Sequence, residues 1–155
     1  MKNFDYKLNY KKLDFTNKET RKHYCIGRGE QGVLLVRPYT DDICKHWKFK
    51  TQNIAMLSAH KIYDMYADYK VKKDFIGMDM CRKFLEMGFT RARRYANHKD
   101  GKKYGKDGKI LPQEPDALYS EKAKAATTFK RWRDIVTHDP KYISMRKMWR
   151  ELEEA

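Results

Sequence analysis

The longest helical pattern in the chain is "FIGMDMCRKFLEMGFTRARRYANH", residues 75–98. Asp74 precedes it and is a favourable N-cap, because its carboxylate can accept hydrogen bonds from the free backbone N–H groups of the first turn. Apolar residues then recur every three or four positions. This spacing predicts an amphipathic helix with one stripe on the core, formed by Met78, Cys81, Leu85, Phe89, Ala92 and Ala96.

Three further segments have the apolar spacing or the capping residues of helices. Thr51 is a candidate N-cap, and Asp139 followed by Pro140 is a typical pair of N-cap and first helical residue. The helices are therefore expected over residues 52–73, 117–138 and 140–153. This gives a helical part at 51–153 that is interrupted by a Gly/Lys-rich loop at 99–116.

One segment before the helices is predicted to be β structure. "HYCIG" and "GVLLVRPY" have the composition of strands and flank "RGEQ", where Gly27, Gly29 and Gly32 supply conformational freedom. The sequence predicts a β-hairpin over residues 23–37, preceded by an extended arm over residues 1–22. The expected fold is α+β and predominantly α: a bundle of about four helices with an N-terminal β-hairpin, in a single domain spanning 1–155.

The chain has a large excess of positive charge. Its 155 residues include 35 Lys and Arg but 21 Asp and Glu, so the formal net charge is +14 at pH 7. A hydrophobic fraction of 41% is too high for a disordered chain, so a folded domain carries this charge. Nucleic acid is the commonest partner of such domains and an anionic membrane surface the next, while enhanced solubility is the explanation that needs no partner.

The positive charge is densest in "TRARRYANHKDGKKYGKDGK", residues 90–109, which has eight Lys and Arg against two Asp. At about 100° per residue, Arg94 points away from the predicted core stripe, and Arg91 and His98 lie within about 60° of it. An Arg row followed by a Lys loop suits a phosphate backbone, since guanidinium groups bind phosphate bidentately. The alternative is a solvated helix end, where cations interact favourably with the macrodipole. The residues expected to contact nucleic acid are Arg91, Arg93, Arg94, Tyr95, His98, Lys99, Lys102 and Lys103.

The helix predicted over residues 117–138 adds a second set of cations. They lie off its apolar stripe, around more than one face of the helix, and are Lys124, Lys130, Arg131 and Arg133. If this helix packs beside the 75–98 helix, the two basic faces line one groove; otherwise these residues form a solvated surface.

The turn "GRGEQGVL", residues 27–34, is the second unusual polar segment. Its glycines lack the order of a phosphate-binding P-loop, because no Gly-Lys-Ser/Thr follows them. Glu30 is a candidate general base or metal ligand, with Arg28 as a candidate phosphate ligand and Gln31 beside them. A local ion pair between Arg28 and Glu30 is the alternative interpretation.

Four blocks resemble a domain-of-unknown-function family of bacteria, fungi and cyanobacterial phages: "GRGEQGVLLVRPY", "HWKFKT", "GMDMCRKFLEMGFTRARRYANHKDGKKY" and "ILPQ". The resemblance extends from about Phe4 to Trp149 and implies a single domain in a phage or bacterial cytosol, with no settled activity and no catalytic role for any residue. It also implies a candidate second site in which His46 and Trp47 join the turn residues. The motif positions are Arg28, Glu30, Gln31, His46, Trp47, Arg91, Arg93, Arg94, Tyr95, Asn97 and His98.

The potential metal ligands and acidic residues give weaker signals. A His-x-Cys and a Cys-x-His pair, His23 with Cys25 and Cys44 with His46, offer four zinc-ligand types, but their spacing is not that of a zinc knuckle. We expect no metal or other cofactor there, and free cysteines in a reducing compartment. The carboxylates available to a nuclease are not spaced to converge, namely Asp74, Asp79 and Glu86.

Three functions are compatible with these sequence features. The first is a small nucleic-acid-binding accessory protein, for DNA or RNA, that holds phosphates with the basic helix end. The second is a nuclease or nucleotide-processing enzyme that uses Glu30, Arg28 and His98. The third is an adaptor for an acidic protein. No apolar run is long enough to span a membrane and residues 1–12 lack the apolar part of a signal peptide, so a cytoplasmic location is expected, in the host if a phage encodes the protein.

Overall fold

A computed structural model describes residues 2–155 and is helical throughout its regular structure. Two short 3₁₀ turns, Tyr10–Lys12 and Lys99–Gly101, accompany the helices. The six helices are α1 (Lys18–Arg21), α2 (Tyr39–Cys44), α3 (Gln52–Val71), α4 (Phe75–Asn97), α5 (Glu121–Thr137) and α6 (Pro140–Glu154). The four long helices lie where the sequence predicted them, except that α5 begins four residues later than expected, after Ser120.

Helix α4 is the centre of the bundle. It packs most extensively against α5 and α3, and α2 and α6 also contact it. Between Phe75 and Leu85 every one of its residues is buried, so this half of the helix has no solvent-facing side. The sequence predicted a single buried stripe, which describes only the second half, where Ala92 and Ala96 are buried and Arg91 and Arg94 are exposed.

Two glycines allow the neighbouring helices to approach α4 closely. A Cβ atom on Gly77 would lie 2.3 Å from the ring of Tyr69 in α3, and one on Gly88 would lie 2.3 Å from the ring of Phe129 in α5. Both distances are far below a van der Waals contact. The two aromatic rings therefore pack directly on the backbone of α4, which explains glycine at interior helical positions where it normally weakens a helix.

The first turn of α4 fastens the short N-terminal helices to the bundle. Asp74 caps α4 by accepting from Gly77 N–H, and its carboxylate also receives Arg21 Nη2 at 2.8 Å and the Tyr39 hydroxyl at 2.5 Å. These two partners come from α1 and α2. The residues before α1 are not the extended arm that was predicted, because Tyr10 lies in a 3₁₀ turn and is buried in the core.

The predicted β-hairpin over residues 23–37 is wrong, and with it the α+β class. Residues 2–155 contain no strand, and their only β pairing is an isolated bridge between Tyr104 and Ile110. Residues 24–29 instead use their backbone groups to bind side chains of α4 and α6. Four of these bonds are Ile26 N–H to Glu153 at 2.9 Å, Trp149 to Tyr24 O at 3.1 Å, Lys83 to Cys25 O at 3.1 Å and Arg150 to Gly27 O at 3.0 Å.

Two physical features misled the strand prediction. Gly27, Gly29 and Gly32 have φ of 67°, 55° and 79°, so the chain reverses its direction locally instead of extending. The apolar residues Ile26, Val33 and Val36 are buried, but they pack on helices. The spacing of apolar residues indicates which side chains are buried, but it does not show which groups the backbone hydrogen-bonds to.

A buried carboxylate joins three parts of the fold. Asp79 in α4 has no exposed surface and accepts hydrogen bonds from Tyr142 of α6 at 2.6 Å, from Arg82 at 2.8 Å and from the hydroxyl of Tyr24. Burial by itself would raise the pKa of Asp79, but the positive charges of Arg82 and Lys83 and the two tyrosine hydroxyls outweigh it and lower that pKa. Asp79 is therefore an anion within the core.

Among the buried charged groups around Asp79, the ammonium of Lys83 is the one whose burial is least offset by its partners. Its side chain is fully buried, and its ammonium donates to Cys25 O at 3.1 Å and lies 4.7 Å from the centroid of the Tyr24 ring. The carboxylate of Asp79 is 3.9 Å away, too far for a strong hydrogen bond. Burial therefore prevails over the attraction of Asp79 and lowers the pKa of Lys83 to about 8.

The Gly88→Ala variant is expected to lose about 1–3 kcal/mol of unfolding free energy, although alanine is the better helix former, because the new methyl group overlaps the Phe129 ring. Urea unfolding monitored by circular dichroism measures this loss. The Phe129→Leu variant supplies the control in a double-mutant cycle, since a smaller side chain opposite the new methyl group should remove part of the overlap. A Gly88→Ala variant as stable as the wild type would contradict the direct packing of Phe129 on α4.

The Lys83→Met variant is expected to change how stability depends on pH. Because the pKa of Lys83 is about 8 in the fold and 10.5 in its ordinary state, the unfolded chain binds more protons between these values. The wild type should therefore gain about 2–3 kcal/mol of unfolding free energy relative to Lys83→Met between pH 7 and pH 10.

Urea unfolding at a series of pH values gives the difference in unfolding free energy between the two proteins. The contributions of titrating groups that both proteins share largely cancel in this difference. Lys124→Met, at an exposed position of α5, is the control and should stay parallel to the wild type. Parallel curves for Lys83→Met and the wild type would show that Lys83 titrates as an ordinary lysine.

Candidate functional site

A basic groove lies at the carboxyl end of α4. We call it the α4 groove; it encloses about 370 Å³ and is lined by Phe89, Thr90, Arg93, Arg94, Asn97, His98 and Lys103. Three of these residues are Arg or Lys, and none is Asp or Glu. A cavity with this lining attracts anions.

The loop after α4 folds back onto the helix end and forms one wall of the groove. Helix α4 ends at Asn97, whose carbonyl accepts the N–H of Glu114 at 2.8 Å. Arg94 Nε donates to Gly101 O at 2.5 Å, and Leu111 N–H donates to Lys103 O at 2.7 Å. The Gly/Lys loop at 99–116 is thus attached to the helix by two of these bonds and braced internally by the third, and Lys103 lines the groove with Arg93 and Arg94.

Two nitrogen atoms of the groove residues are buried without a hydrogen-bond partner in residues 2–155. They are Arg93 Nε and His98 Nδ1. A second nitrogen of Arg93, Nη2, donates to Ala117 O and holds the guanidinium in place. Because a buried polar nitrogen without a partner costs about 1–3 kcal/mol, an anion whose oxygen atoms reach these nitrogens would remove that penalty.

Four of the eight predicted nucleic-acid contacts line the α4 groove, namely Arg93, Arg94, His98 and Lys103. Arg91 and Arg94 are exposed, as are the three loop lysines that were predicted, namely Lys99, Lys102 and Lys103. His98, in contrast, is only 6% exposed and does not belong to an outward row. Its φ of −137° and ψ of 132° are extended, so a helical projection from Leu85 fails at this residue.

Tyr95 is only partly available for stacking. It is 41% exposed, but its ring centroid lies 5.7 Å from that of Phe49 and 5.8 Å from the ammonium of Lys122. A Cβ atom on Gly101 would also lie 3.1 Å from the same ring. Phe49, Gly101 and Lys122 therefore cover part of the ring that was predicted to contact nucleic acid.

Helix α5 borders the α4 groove through Phe89. The ammonium of Lys130 lies 5.9 Å, and the guanidinium carbon of Arg133 5.2 Å, from the centroid of the Phe89 ring. Arg133 is neutralised by Glu86 and Asp134, each at 2.8 Å, whereas Lys130 is exposed. Helices α4 and α5 thus pack side by side, but no α5 residue lines the α4 groove, and Lys130 lies beside its Phe89 edge.

The turn residues of the candidate second site contact α4 and the N-terminal segment. Glu30 accepts the hydroxyl of Thr90 at 2.8 Å, which places its carboxylate at the edge of the α4 groove. Gln31 Oε1 accepts Arg28 N–H at 2.8 Å, and Gln31 Nε2 donates to the hydroxyl of Tyr6 at 3.1 Å. Gln31 therefore stabilises the turn, Arg28 is exposed, and Glu30 connects the turn to the first candidate site.

His46 and Trp47 have different surroundings from the turn residues. The ring centroid of Trp47 lies 5.0 Å from that of Phe49 and 6.3 Å from that of Phe84, and its indole nitrogen is buried without a partner in the described chain. His46 lies in a shallow groove beside α3. Burial and then the charges of neighbouring lysines lower its pKa, the lysines being Lys61, Lys45 and Lys48. The structure therefore does not gather the candidate second site into one cluster.

No metal-binding cluster occurs among residues 2–155: no three His, Cys, Asp or Glu side chains converge. The three cysteines are free, and Cys25 is buried while Cys44 is half-buried. The carboxylates of α4 bind three separate partners, and their pairs are Asp74 with Arg21, Asp79 with Arg82, and Glu86 with Arg133.

The predictions from the sequence missed two features around Arg82. Asp79, Arg82 and Lys83 have the i, i+3 and i, i+4 spacing of helical ion pairs, and this signal was available in the sequence. The basic face of α6 beside Arg82 was also overlooked, because its cations are separated by apolar residues in the chain. Their proximity to Arg82 depends on the packing of α6 against α4.

The chain belongs to the family of a domain of unknown function, DUF4385, whose model matches residues 5–152. This confirms the resemblance drawn from the sequence blocks. No curated protein and no solved structure matches the chain. Within residues 2–155, none of the helices combines the length and the apolar character that crossing a membrane requires.

Proposed function

We propose that this protein binds the phosphate backbone of a nucleic acid in the α4 groove. The observation that carries the proposal is a groove lined by Arg93, Arg94 and Lys103, without a carboxylate in its lining. Two of its lining residues, Arg93 and His98, also have a buried nitrogen without a partner within the described residues. Phosphate oxygens satisfy such nitrogens and neutralise the surrounding charge. Part of the energy lost by burying Arg93 Nε and His98 Nδ1 is then recovered when the ligand binds.

The surroundings of the groove favour an extended polyanion over a single small anion. Exposed lysines continue from the groove along the loop, and Lys130 continues it on α5. A chain with +14 net charge attracts polyanions at long range. An acidic protein would share this attraction, but the planar Arg93 and Arg94 guanidinium groups match tetrahedral phosphate particularly well.

The cellular setting is part of the same proposal. Three unpaired cysteines, two of them buried, support a reducing compartment such as a cytoplasm. A nucleic-acid-binding accessory protein encoded by a bacterium or a phage would act there, on DNA or RNA. The accessory role follows from phosphate contacts that position a strand without reading its bases.

The triple variant Arg91→Ala, Lys102→Ala and Lys103→Ala is expected to weaken binding and its salt dependence. Each phosphate contact contributes about 0.9 to the slope of log affinity against log salt for duplex DNA and about 0.7 for a single strand. Fluorescence anisotropy over a salt series should show a slope smaller by about 2–3 for a duplex. Affinity should fall equally for unrelated sequences.

A matched control separates this effect from a general loss of charge. The variant Lys11→Ala, Lys12→Ala and Lys72→Ala also loses three positive charges, at exposed positions outside the α4 helix end and the loop at 99–116. Its slope should remain closer to that of the wild type. Equal slopes in the two triple variants would overturn the proposal, and unchanged binding by both would favour an acidic protein as the partner.

Glu30 supports a second candidate function, hydrolysis of the bound strand. Its carboxylate receives the Thr90 hydroxyl at the edge of the α4 groove, so a general base would lie next to the proposed phosphate site. His98 lines the same groove. Arg28, exposed on the same turn, is available as a further phosphate ligand.

The Glu30→Gln variant tests this candidate, because glutamine retains an acceptor for Thr90 but cannot remove a proton. If the protein is a nuclease, cleavage of labelled DNA or RNA in the presence of Mg²⁺ or Mn²⁺ should fall by about 10²–10⁴ in the variant, while binding should persist. Absence of cleavage by the wild type, or equal cleavage by both proteins, would leave only the binding function.

A further inference from the structure

A second basic cavity lies between α4, α5 and α6, separate from the α4 groove. It encloses about 520 Å³, and we call it the α6 pocket. Four of its lining residues are cations and none is Asp or Glu. The lining residues used below are Arg82, Thr137, Tyr142, Arg146, Lys147 and Arg150.

Arg82 contributes a fixed guanidinium to this pocket. It is 8% exposed, and Nη2 donates to Asp79 at 2.8 Å, Nη1 donates to Gly29 O and Nε donates to Tyr142 at 3.0 Å. An arginine has five N–H donors, and these bonds use one N–H on each nitrogen. The second N–H on each of Nη1 and Nη2 has no acceptor in the part of the chain that the structure describes. An anion in the pocket would supply one.

Helix α6 adds cations that repel one another. Tyr142, Arg146 and Arg150 are four residues apart and share one face, with Lys147 beside them. Arg150 is partly neutralised by Glu153 at 3.4 Å. Arg146 and Lys147 are exposed and form no ion pair with any described residue. Like charges at this spacing destabilise a helix, and a bound anion relieves the repulsion.

We propose that the α6 pocket is a binding site for a phosphate-bearing ligand, held by Arg82 at its base and by Arg146 and Lys147 at its rim. A rigid guanidinium with N–H donors that have no acceptor in the described chain suits the oxygen atoms of a phosphate, and the exposed rim cations suit the remaining charge. This inference does not depend on the function proposed for the α4 groove.

The phosphate can belong to a free nucleotide or to a nucleic-acid strand. Along α4, Phe89 lies seven residues and Arg93 eleven residues after Arg82, and this spacing puts all three on one face of the helix. Arg82 and Arg93 are separated by roughly 17 Å along the helix axis. A strand held in the α4 groove could therefore extend to the α6 pocket, whereas a nucleotide would occupy the pocket alone.

The test uses sodium pyrophosphate as the probe, without divalent cations, in a titration followed by ¹H–¹⁵N NMR. Saturable shifts are expected for the backbone amides of Thr137 and of residues 142–150. The double variant Arg146→Gln and Lys147→Gln should weaken this binding about tenfold or more, since each charge-assisted hydrogen bond contributes at least that order of affinity. The double variant Lys11→Gln and Lys12→Gln, with equal loss of charge, should bind like the wild type.

Two results would overturn the inference: equal weakening in both double variants, or saturable shifts confined to the α4 groove. The triple variant of Arg91, Lys102 and Lys103 should still bind pyrophosphate in the α6 pocket, so failure of one site is distinguishable from failure of the other. Titration with ADP and with a 12-nucleotide strand that lacks terminal phosphates identifies whether the bound phosphate belongs to a nucleotide or to a strand. Displacement of pyrophosphate by the strand supports a continuous track, and displacement by ADP alone supports a nucleotide site.

Discussion

The buried carboxylate of Asp79 is the interaction on which this architecture depends. Removing an anion from water costs several kcal/mol unless nearby donors and cations replace the solvent. Here Arg82 comes from the next turn of α4, Tyr142 from α6 and Tyr24 from the segment before α2. Each donor is correctly placed only when its own part of the chain is folded. A single charge in the core thereby fixes the relative positions of three segments that lie far apart in the sequence.

The same helix supplies both the core and the proposed sites. Up to Leu85 the helix α4 is enclosed by its neighbours, and in its second half Arg91 and Arg94 are in contact with solvent. Arg82 contributes to the core and to a proposed site, because it neutralises Asp79 and lines the α6 pocket. The rigidity needed to bury a charged group also holds a guanidinium in a fixed orientation, which reduces the entropy that a ligand must remove on binding.

Local signals in the sequence were sufficient for the four long helices. Thr51, Asp74 and Asp139 act as N-caps where their chemistry predicted them, and the apolar spacing gave the helical period. The sequence did not reveal bonds between distant residues, such as the one from Ile26 to Glu153, so residues 23–37 were predicted as a β-hairpin. His98 was placed outside the core for a related reason: the end of a helix depends on what the following loop contacts. Of the candidate site, the concentration of cations was predictable, whereas its unpartnered nitrogens and the contribution of α6 required the packing of the helices.

The attachment of residues 24–29 to the last two turns of α6 has a consequence for biosynthesis. The partners Trp149, Arg150 and Glu153 leave the ribosome more than 120 residues after Tyr24, so this segment has no native contacts from α6 while the central helices are being made. Contacts of such large sequence separation are slow to form. The contacts of residues 24–29 with α6 therefore form only after α6 has been translated, and a nascent chain that stalls before this helix leaves the ring of Tyr24 without its contact to Trp149.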